Sequence, residues 1–397
     1  MKKLLSKGRG VLFLLLVVLF VFTLNSFSSL DIEKTAIIIA LGIDREQEDY
    51  VVTCQLALPS PDGGGDAPQQ TPNMISGKGP TPAAAYNEIA TLTGWMPTLS
   101  FCTVIVLGNE IIERPLMDVL DFSLRVKQLN DACLLCAFDG NARDFFNVKT
   151  PLDQISAFSI LKVFAKENTQ SSDVSVQSLK DFAMNYYRQG NGNFMPYVTA
   201  LPDQNPENKA GSQNSKSEIM DFAANRIVTF NQDEKKEIFS PELSKSFVLL
   251  TRTVKSGSVN LQNVETAQYT AKNLEVNLES SPAKISVKPE KDELVCTLSF
   301  EAKIRILHLE TDNRNIQNLV DAKIPCEIKS KLKETLLADF TALCDRMKEL
   351  NCDLLQIEES FYKSHPKEYR KYLAENGQHN VLSHTRFEIK VDVKAKD

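Results

Sequence analysis

The 397-residue chain predicts an α+β fold: a membrane-anchored, multi-domain protein of mixed β-sheets, each packed with helices. Three observations carry this expectation. An apolar run follows a basic tip at the N-terminus. Strand-like segments then alternate with helix-like ones as far as about residue 200. In the last third, a long amphipathic helix lies between strands.

Lys2, Lys3, Lys7 and Arg9 lead into Val11-Leu12-Phe13-Leu14-Leu15-Leu16-Val17-Val18-Leu19-Phe20-Val21-Phe22, and an uncharged stretch continues to Leu30. A hydrocarbon core about 30 Å thick needs about 20 helical residues. Gly10 to Leu30 has that length without a charge, although Asn25, Ser26, Ser28 and Ser29 make its far end polar. A retained signal anchor and a cleaved signal peptide both fit such a segment. The best cleavage candidate, Ser26-Phe27-Ser28, is not an Ala-x-Ala site, so residues 1–30 are read as a retained anchor. The positive-inside rule then keeps the tip in the cytoplasm. The expected location is the membrane, single-pass, with the bulk of the chain extracytoplasmic.

Apolar residues make up 43% and charged residues 24%, as in ordinary folded protein. Net charge is −6, and removing the basic tip makes the remainder more acidic still. That balance argues against nucleic acid or anionic lipid headgroups as the main partner. Cys54, Cys102 and Cys296 sit inside apolar strand-like segments, which predicts reduced, buried thiols rather than disulfides.

The elements follow in order. Thr35 to Leu41 and Tyr50 to Leu58 read as strands joined by a polar turn. Pro59 to Pro72, with Gly63-Gly64-Gly65, reads as a surface loop. Thr81-Pro82 marks a capped helix running to Thr93. A strand at Leu99 to Leu107, a helix at Pro115 to Lys127 and a strand at Ala132 to Phe138 come next. Helices at Pro151 to Lys166 and Val176 to Tyr187 complete an α/β domain over 31–201. Pro202 to Ser217 is nearly all polar residues, Gly and Pro, so 202–217 reads as a linker. An α+β domain over 218–397 follows, with a further split near 272 left open. It has a helix at Pro241 to Leu250 capped by Ser240, and strands at Leu274 to Glu279, Lys284 to Lys288 and Leu294 to His308. Ile328, Leu332, Leu336, Phe340, Leu343, Met347 and Leu350 then define one apolar helix face, and Phe387, Ile389, Val391 and Val393 alternate in a last strand.

The constellations that carry chemistry elsewhere are weak here. Cys133-Leu134-Leu135-Cys136 matches C-x-x-C, the one feature behind a thiol-oxidoreductase reading. Within a strand, residues three apart face opposite sides, so the two sulfurs are not expected to meet. His308, His365, His379 and His384 lack metal-ligand spacing, and Gly77-Lys78-Gly79 lacks the continuation of a phosphate loop. Asp233-Glu234 and Glu358-Glu359 read as solvated surface charge. No catalytic, cofactor-binding or metal-ligating residue is assigned, and the expectation is a non-enzyme.

The order of segments resembles the Ger(x)C family, the C subunits of bacterial spore germinant receptors. Asp31-Ile32, the strand Ala36 to Leu41 and Gly42-Ile43-Asp44 match its opening. Ile75-Ser76-Gly77-Lys78-Gly79 before the Pro82 helix matches its serine-glycine-x-glycine turn. Val104-Ile105-Val106-Leu107-Gly108-Asn109-Glu110, Asp121-Phe122-Ser123-Leu124-Arg125 and Pro151-Leu152 match later segments. Cys352-Asp353 and His365-Pro366-Lys367-Glu368-Tyr369 are similar to its late Asp and His-Pro pattern. Three departures stand out. Ser26 occupies the position of the lipidated cysteine, so no lipidation is expected. Leu354-Leu355-Gln356 replace the glycines after the late Asp, and Tyr369 stands where Trp is usual.

The resemblance implies a membrane-anchored C-type subunit of a germinant-receptor-like complex, working by assembly or signal relay beside A- and B-type membrane subunits. It implies the inner spore membrane as location and leaves room for a small-molecule germinant. The competing reading is a membrane-tethered solute-binding protein, which would carry a ligand cleft between its two domains.

Overall fold

The computed structural model describes residues 35–56, 74–150, 153, 155–165, 171–202, 220–267, 269–280, 282–290, 293–311, 324–377 and 380–395. The expected anchor, Ser26, Pro151-Leu152 and His379 lie outside the described residues. Among the described residues, no helix is long and apolar enough to cross a membrane.

The chain forms two sheets covered by helices, a mixed α+β architecture. The first, ten-stranded, has a core of four parallel strands: β1 (Thr35–Glu46), β5 (Val104–Leu107), β6 (Leu134–Phe138) and β8 (Gly192–Pro202). Antiparallel strands extend both sides of this core. β2 (Asp49–Leu56) and β3 (Met74–Gly79) add beyond β1. On the other side lie β9 (Met220–Asn231) and β10 (Glu234–Ile238). β4 (Met96–Thr98) pairs with the start of β1, and β7 (Gln177–Ser178) with β6.

A parallel core must be covered on both faces, because its strands are apolar on both sides. On one face α1 (Pro82–Thr93), α3 (Leu116–Arg125) and α6 (Leu179–Tyr187) bury Ile89, Leu120 and Phe182 against Leu41, Ile105 and Leu135. On the other, α4 (Ala142–Phe145) and α5 (Ser156–Phe164) bury Phe145 and Ile160 against Ala40, Val106 and Cys136. The short α2 (Asn109–Ile112) leads into α3. Cys133 lies in the turn just before β6 rather than within the strand, and it and Cys136 belong to cores on opposite faces of the sheet. All eight cysteines are free and only Cys326 is exposed; Cys133 Sγ instead lies 3.8 Å from Cys102 Sγ.

The second sheet runs β11 (Ser258–Glu265), β12 (Thr270–Ser280), β14 (Glu293–Thr311) and β13 (Lys284–Glu290), with β15 (Thr385–Ala395) parallel to β14. α8 (Cys326–Glu349) lies on it through Ile328, Leu332, Leu336, Phe340, Leu343 and Met347, the expected face, with Phe340 edge-on to Phe300. α7 (Pro241–Thr251) is capped by Ser240 and bridges the sheets. Phe194 of β8 and Ile227 of β9 share one core with Phe247, Leu274 and Phe340.

Segment 202–217 does not separate the two sheets. β8 and β9 flank it and pair antiparallel from Gly192–Asn231 to Pro202–Met220, so the first sheet runs on to Ile238. Residues 203–219, which include nearly all of the expected linker, lie outside the described residues, and the strands on either side of them belong to one sheet. The sheets change over between Ile238 and Ser258, through α7. A protease site inserted at 206–215 and cut should leave both fragments in one particle by size-exclusion chromatography. Separation of the fragments after cutting would show the pairing to be too weak to join them.

Candidate functional site

The chemistry-bearing side chains gather in two places, and both coincide with the segments that carried the family resemblance. The first is the end of the parallel strands. Asp44 leaves β1 almost fully buried, and its carboxylate accepts the N–H groups of Ala142 (2.6 Å) and Arg143 (2.9 Å) at the start of α4. Burial pushes its pKa from 3.8 up to about 6, against the pull of those two donors. Gly108 is glycine because a Cβ there would lie 2.1 Å from Asp44 Oδ1. Beside it, Tyr197 OH donates toward Asp139 (2.9 Å), and Asn109 bonds both residues. The Ser76-Gly77-Lys78-Gly79 segment is strand β3, not a phosphate loop. A Cβ at Gly77 would meet the Ala85 carbonyl at 2.2 Å, so the glycines let α1 press on the strand.

The second place is the joint between the two halves. After α8 the chain crosses to the first sheet at Asn351 to Gln356, both ends of which hold left-handed φ (46° and 56°). The Asn351 carbonyl accepts from Asn191 Nδ2 (2.7 Å) and Asn231 Nδ2 (2.9 Å). The Cys352 thiol donates to the Phe230 carbonyl (2.9 Å), and the Asp353 N–H donates to Asn191 Oδ1 (3.2 Å). Asp353, 2% exposed, caps α9 (Ile357–Ser364) by accepting from the N–H groups of Ile357 (2.9 Å) and Glu358 (2.8 Å). Burial again outweighs these donors and raises its pKa to about 6. Gly192 admits this segment: a Cβ would stand 2.1 Å from the Asp353 carbonyl carbon.

Glu358 is buried rather than solvated. Tyr369, on α10 (Pro366–Asn376), donates to it at 2.9 Å and also lies 3.0 Å from Gln189 Oε1. Arg188 reaches Gln356 Oε1 (3.3 Å) from the first half. Asp233 is likewise buried, with Oδ2 accepting the Met117 N–H at 3.1 Å. Both acids read as surface charge from sequence because an acidic pair between polar neighbours gives no sign of which helix end it will meet. α9 and α10 themselves were not expected from sequence. A separate cleft of about 820 Å³ lies between α8 and β15, with Asp345, Lys348, His384 and Arg386 on its walls. Among the described residues, no group of three or more His, Cys, Asp or Glu could hold a metal.

This geometry sets a pH response. Asp44 and Asp353 hold their protons to about pH 6 in the fold but only to about 3.8 when unfolded. Stability should therefore fall as pH rises from about 4 to 6, by up to roughly 3 kcal/mol per group, and level off above. Asp44→Asn and Asp353→Asn should each flatten that slope in urea midpoints, since Asn still caps a helix. Tyr369→Phe should cost about 1–3 kcal/mol at neutral pH, because it removes a bond to a buried carboxylate.

Comparison with known proteins agrees with the motifs. Residues 28–200 match the family model described as spore germination protein N-terminal domain, and residues 225–397 match spore germination B3/GerAC like, C-terminal. A Bacillus subtilis (strain 168) protein, YfkR, provisionally named a spore germination protein, is 22% identical over 331 residues, covering 81% of this chain and 80% of its own. A crystal structure of the GerBC protein aligns at 15% identity with a TM-score of 0.49, covering 90% of this chain and 97% of that one. The chain belongs to the Ger(x)C (GerAC-like) family of spore germination proteins.

Proposed function

We propose that this protein is a membrane-anchored C-type subunit of a spore germinant-receptor-like complex. It acts in nutrient-triggered germination by assembly or signal relay, without catalysing a reaction. Its partners are A- and B-type membrane subunits, in the inner spore membrane. The observation that carries this reading, beyond family membership, is the joint. Asn191, Asp353, Glu358 and Tyr369 are all buried: Asn191 and Gln189 of the first half bond Asp353 and Tyr369 of the second, and Asp353 and Tyr369 in turn hold Glu358. A seam locked in this way makes the halves one stiff connector, which suits passing force or holding partners. The same observation counts against a tethered solute-binding protein, whose cleft between halves would occupy the space these side chains fill. The buried acids Asp44, Asp233, Asp353 and Glu358 each hold a helix end or a neighbouring side chain.

The test is made in spores. A strain lacking the chain should lose its response to nutrient while still germinating with a non-nutrient trigger. The tagged protein should co-purify with A- and B-type subunits from solubilised membranes. A normal nutrient response without the chain, together with purification free of such subunits, would sink the reading.

The anchor belongs to the same proposal. The protein should sit in the membrane fraction at full-length mass and take up no palmitate, since Ser26 offers no thiol for lipid. Leu16→Arg with Val17→Arg should release it or block export, because charge at a helix centre costs about 2.5–3.5 kcal/mol per residue. A mature N-terminus at Ser29, with the protein free in the medium, would show a signal peptide instead.

A further inference from the structure

We infer that the end of the first sheet where its parallel strands begin lies on the lipid surface, with Leu92, Trp95 and Phe101 seated among the headgroups. The inference rests on the proposed anchor and adds which face of the protein meets the bilayer.

Single exposed apolar side chains are ordinary, but these three share one end of the molecule. Leu92 is 64% exposed, Trp95 45% and Phe101 59%. Leu92 lies in the last turn of α1, Trp95 precedes β4, and Phe101 lies in the turn between β4 and β5. No charged residue occurs from Ile89 to Gly108, so the segment that presents these three side chains has no ionised group of its own to desolvate at a membrane, and at the neighbouring start of β6 Asp131 is paired with Lys180 (3.9 Å).

The aromatics are held out on braced supports. Gly94 closes α1 with φ 69°, its N–H donating to the Ala90 carbonyl, and the Trp95 N–H bonds Thr93 Oγ1 (3.2 Å). Below Phe101, the Cys102 N–H closes on the Leu99 carbonyl (3.0 Å), and Thr98 and Ser100 hydroxyls meet at 3.1 Å. A ring kept rigidly in water loses hydrophobic stabilisation unless another phase receives it. Tryptophan, with an apolar body and one N–H, favours the headgroup level.

Connectivity points to which phase that is. β1 begins at Thr35, paired with Met96 directly after Trp95. The uncharged run ends at Leu30, five residue steps earlier. At about 3.3–3.6 Å per residue, that chain can reach no further than roughly 18 Å. A spanning segment ending at Leu30 therefore tethers this end close to the bilayer, whatever path the intervening residues take.

Trp95 is the chain's only tryptophan, so its fluorescence reports this face alone. The full-length protein would be reconstituted in phosphatidylethanolamine–phosphatidylglycerol vesicles with or without brominated acyl chains, and floated on a gradient. The expected result is flotation, with loss of most Trp95 emission in the brominated vesicles. Leu92→Ser with Phe101→Ser should restore that emission. Leu307→Ser, at an exposed leucine of the second sheet, should not. Flotation with emission indifferent to bromine would overturn the inference while leaving the anchor standing. Equal recovery from Leu307→Ser would also overturn it. Failure to float would remove the anchor and the inference together.

Discussion

A carboxylate placed beyond the reach of water must be matched by donors from its surroundings, and Asp353 is where this fold meets that demand most completely. Its two oxygens take the first free N–H groups of α9, and its own N–H is held by Asn191 from the other half. Remove the side chain and two buried donors lose their acceptor, at about 1–3 kcal/mol each. The seam would lose its register as well, because Asn191 also grips the carbonyl of Asn351 two residues earlier. The position of α9, and through Glu358 and Tyr369 that of α10, follows from this one cap.

Asp44 repeats the device in the first half, and the two sites explain why glycines accompany both. Gly108 leaves room for the Asp44 carboxylate, and Gly192 for the backbone of Asp353. The family-like motifs are therefore packing motifs: a short acid that caps a helix, and a missing Cβ where another chain segment must pass. Leu354-Leu355-Gln356 shows the limit of the pattern. Gln356 adopts φ 56°, a conformation that glycine takes freely and that costs other residues about 1–2 kcal/mol. Its side chain, bonded to Arg188, gives back part of what the glycine would have saved.

Local signals made much of the fold legible. Thr81 and Pro82 placed α1 to the residue, and Ser240 with Pro241 did nearly as well for α7, because a cap is a short-range interaction. The stripe from Ile328 to Met347 was legible for the same reason. The strand expected over 99–107 is instead β5 after a braced turn, since apolar content alone cannot separate a strand from a buried turn. Two features were beyond reach. β8 and β9 pair across 202–217, a tertiary choice that no local pattern encodes. The burial of Asp233 depends on Met117, 116 residues away in sequence, and that of Glu358 on Tyr369 and, through it, on Gln189 of the first half, so polar composition pointed to the surface. Asp353 lay within a segment singled out for resemblance, yet its role as a cap needed the helix it caps, and α9 has no Ser, Thr or Pro signal at its start.

Placement gives the joint its functional interest. β8 starts at Gly192, and its pairing of Tyr197 with Ala137 puts that start level with the beginning of β6. The joint at Asn191 to Asn193 therefore lies at the same end of the sheet as Phe101, which precedes β5. β5, β6 and β8 are successive strands, so at about 4.8 Å each the two features are separated by roughly 10 Å across the sheet. A sheet stiffly paired and packed on both faces transmits displacement over that distance with little loss. Under the proposed reading, a shift imposed at the membrane end would reach the second half through Asn191, Asp353 and α9, without any ligand entering the protein. The second sheet, carried beyond this joint, would then be the part that moves relative to a partner.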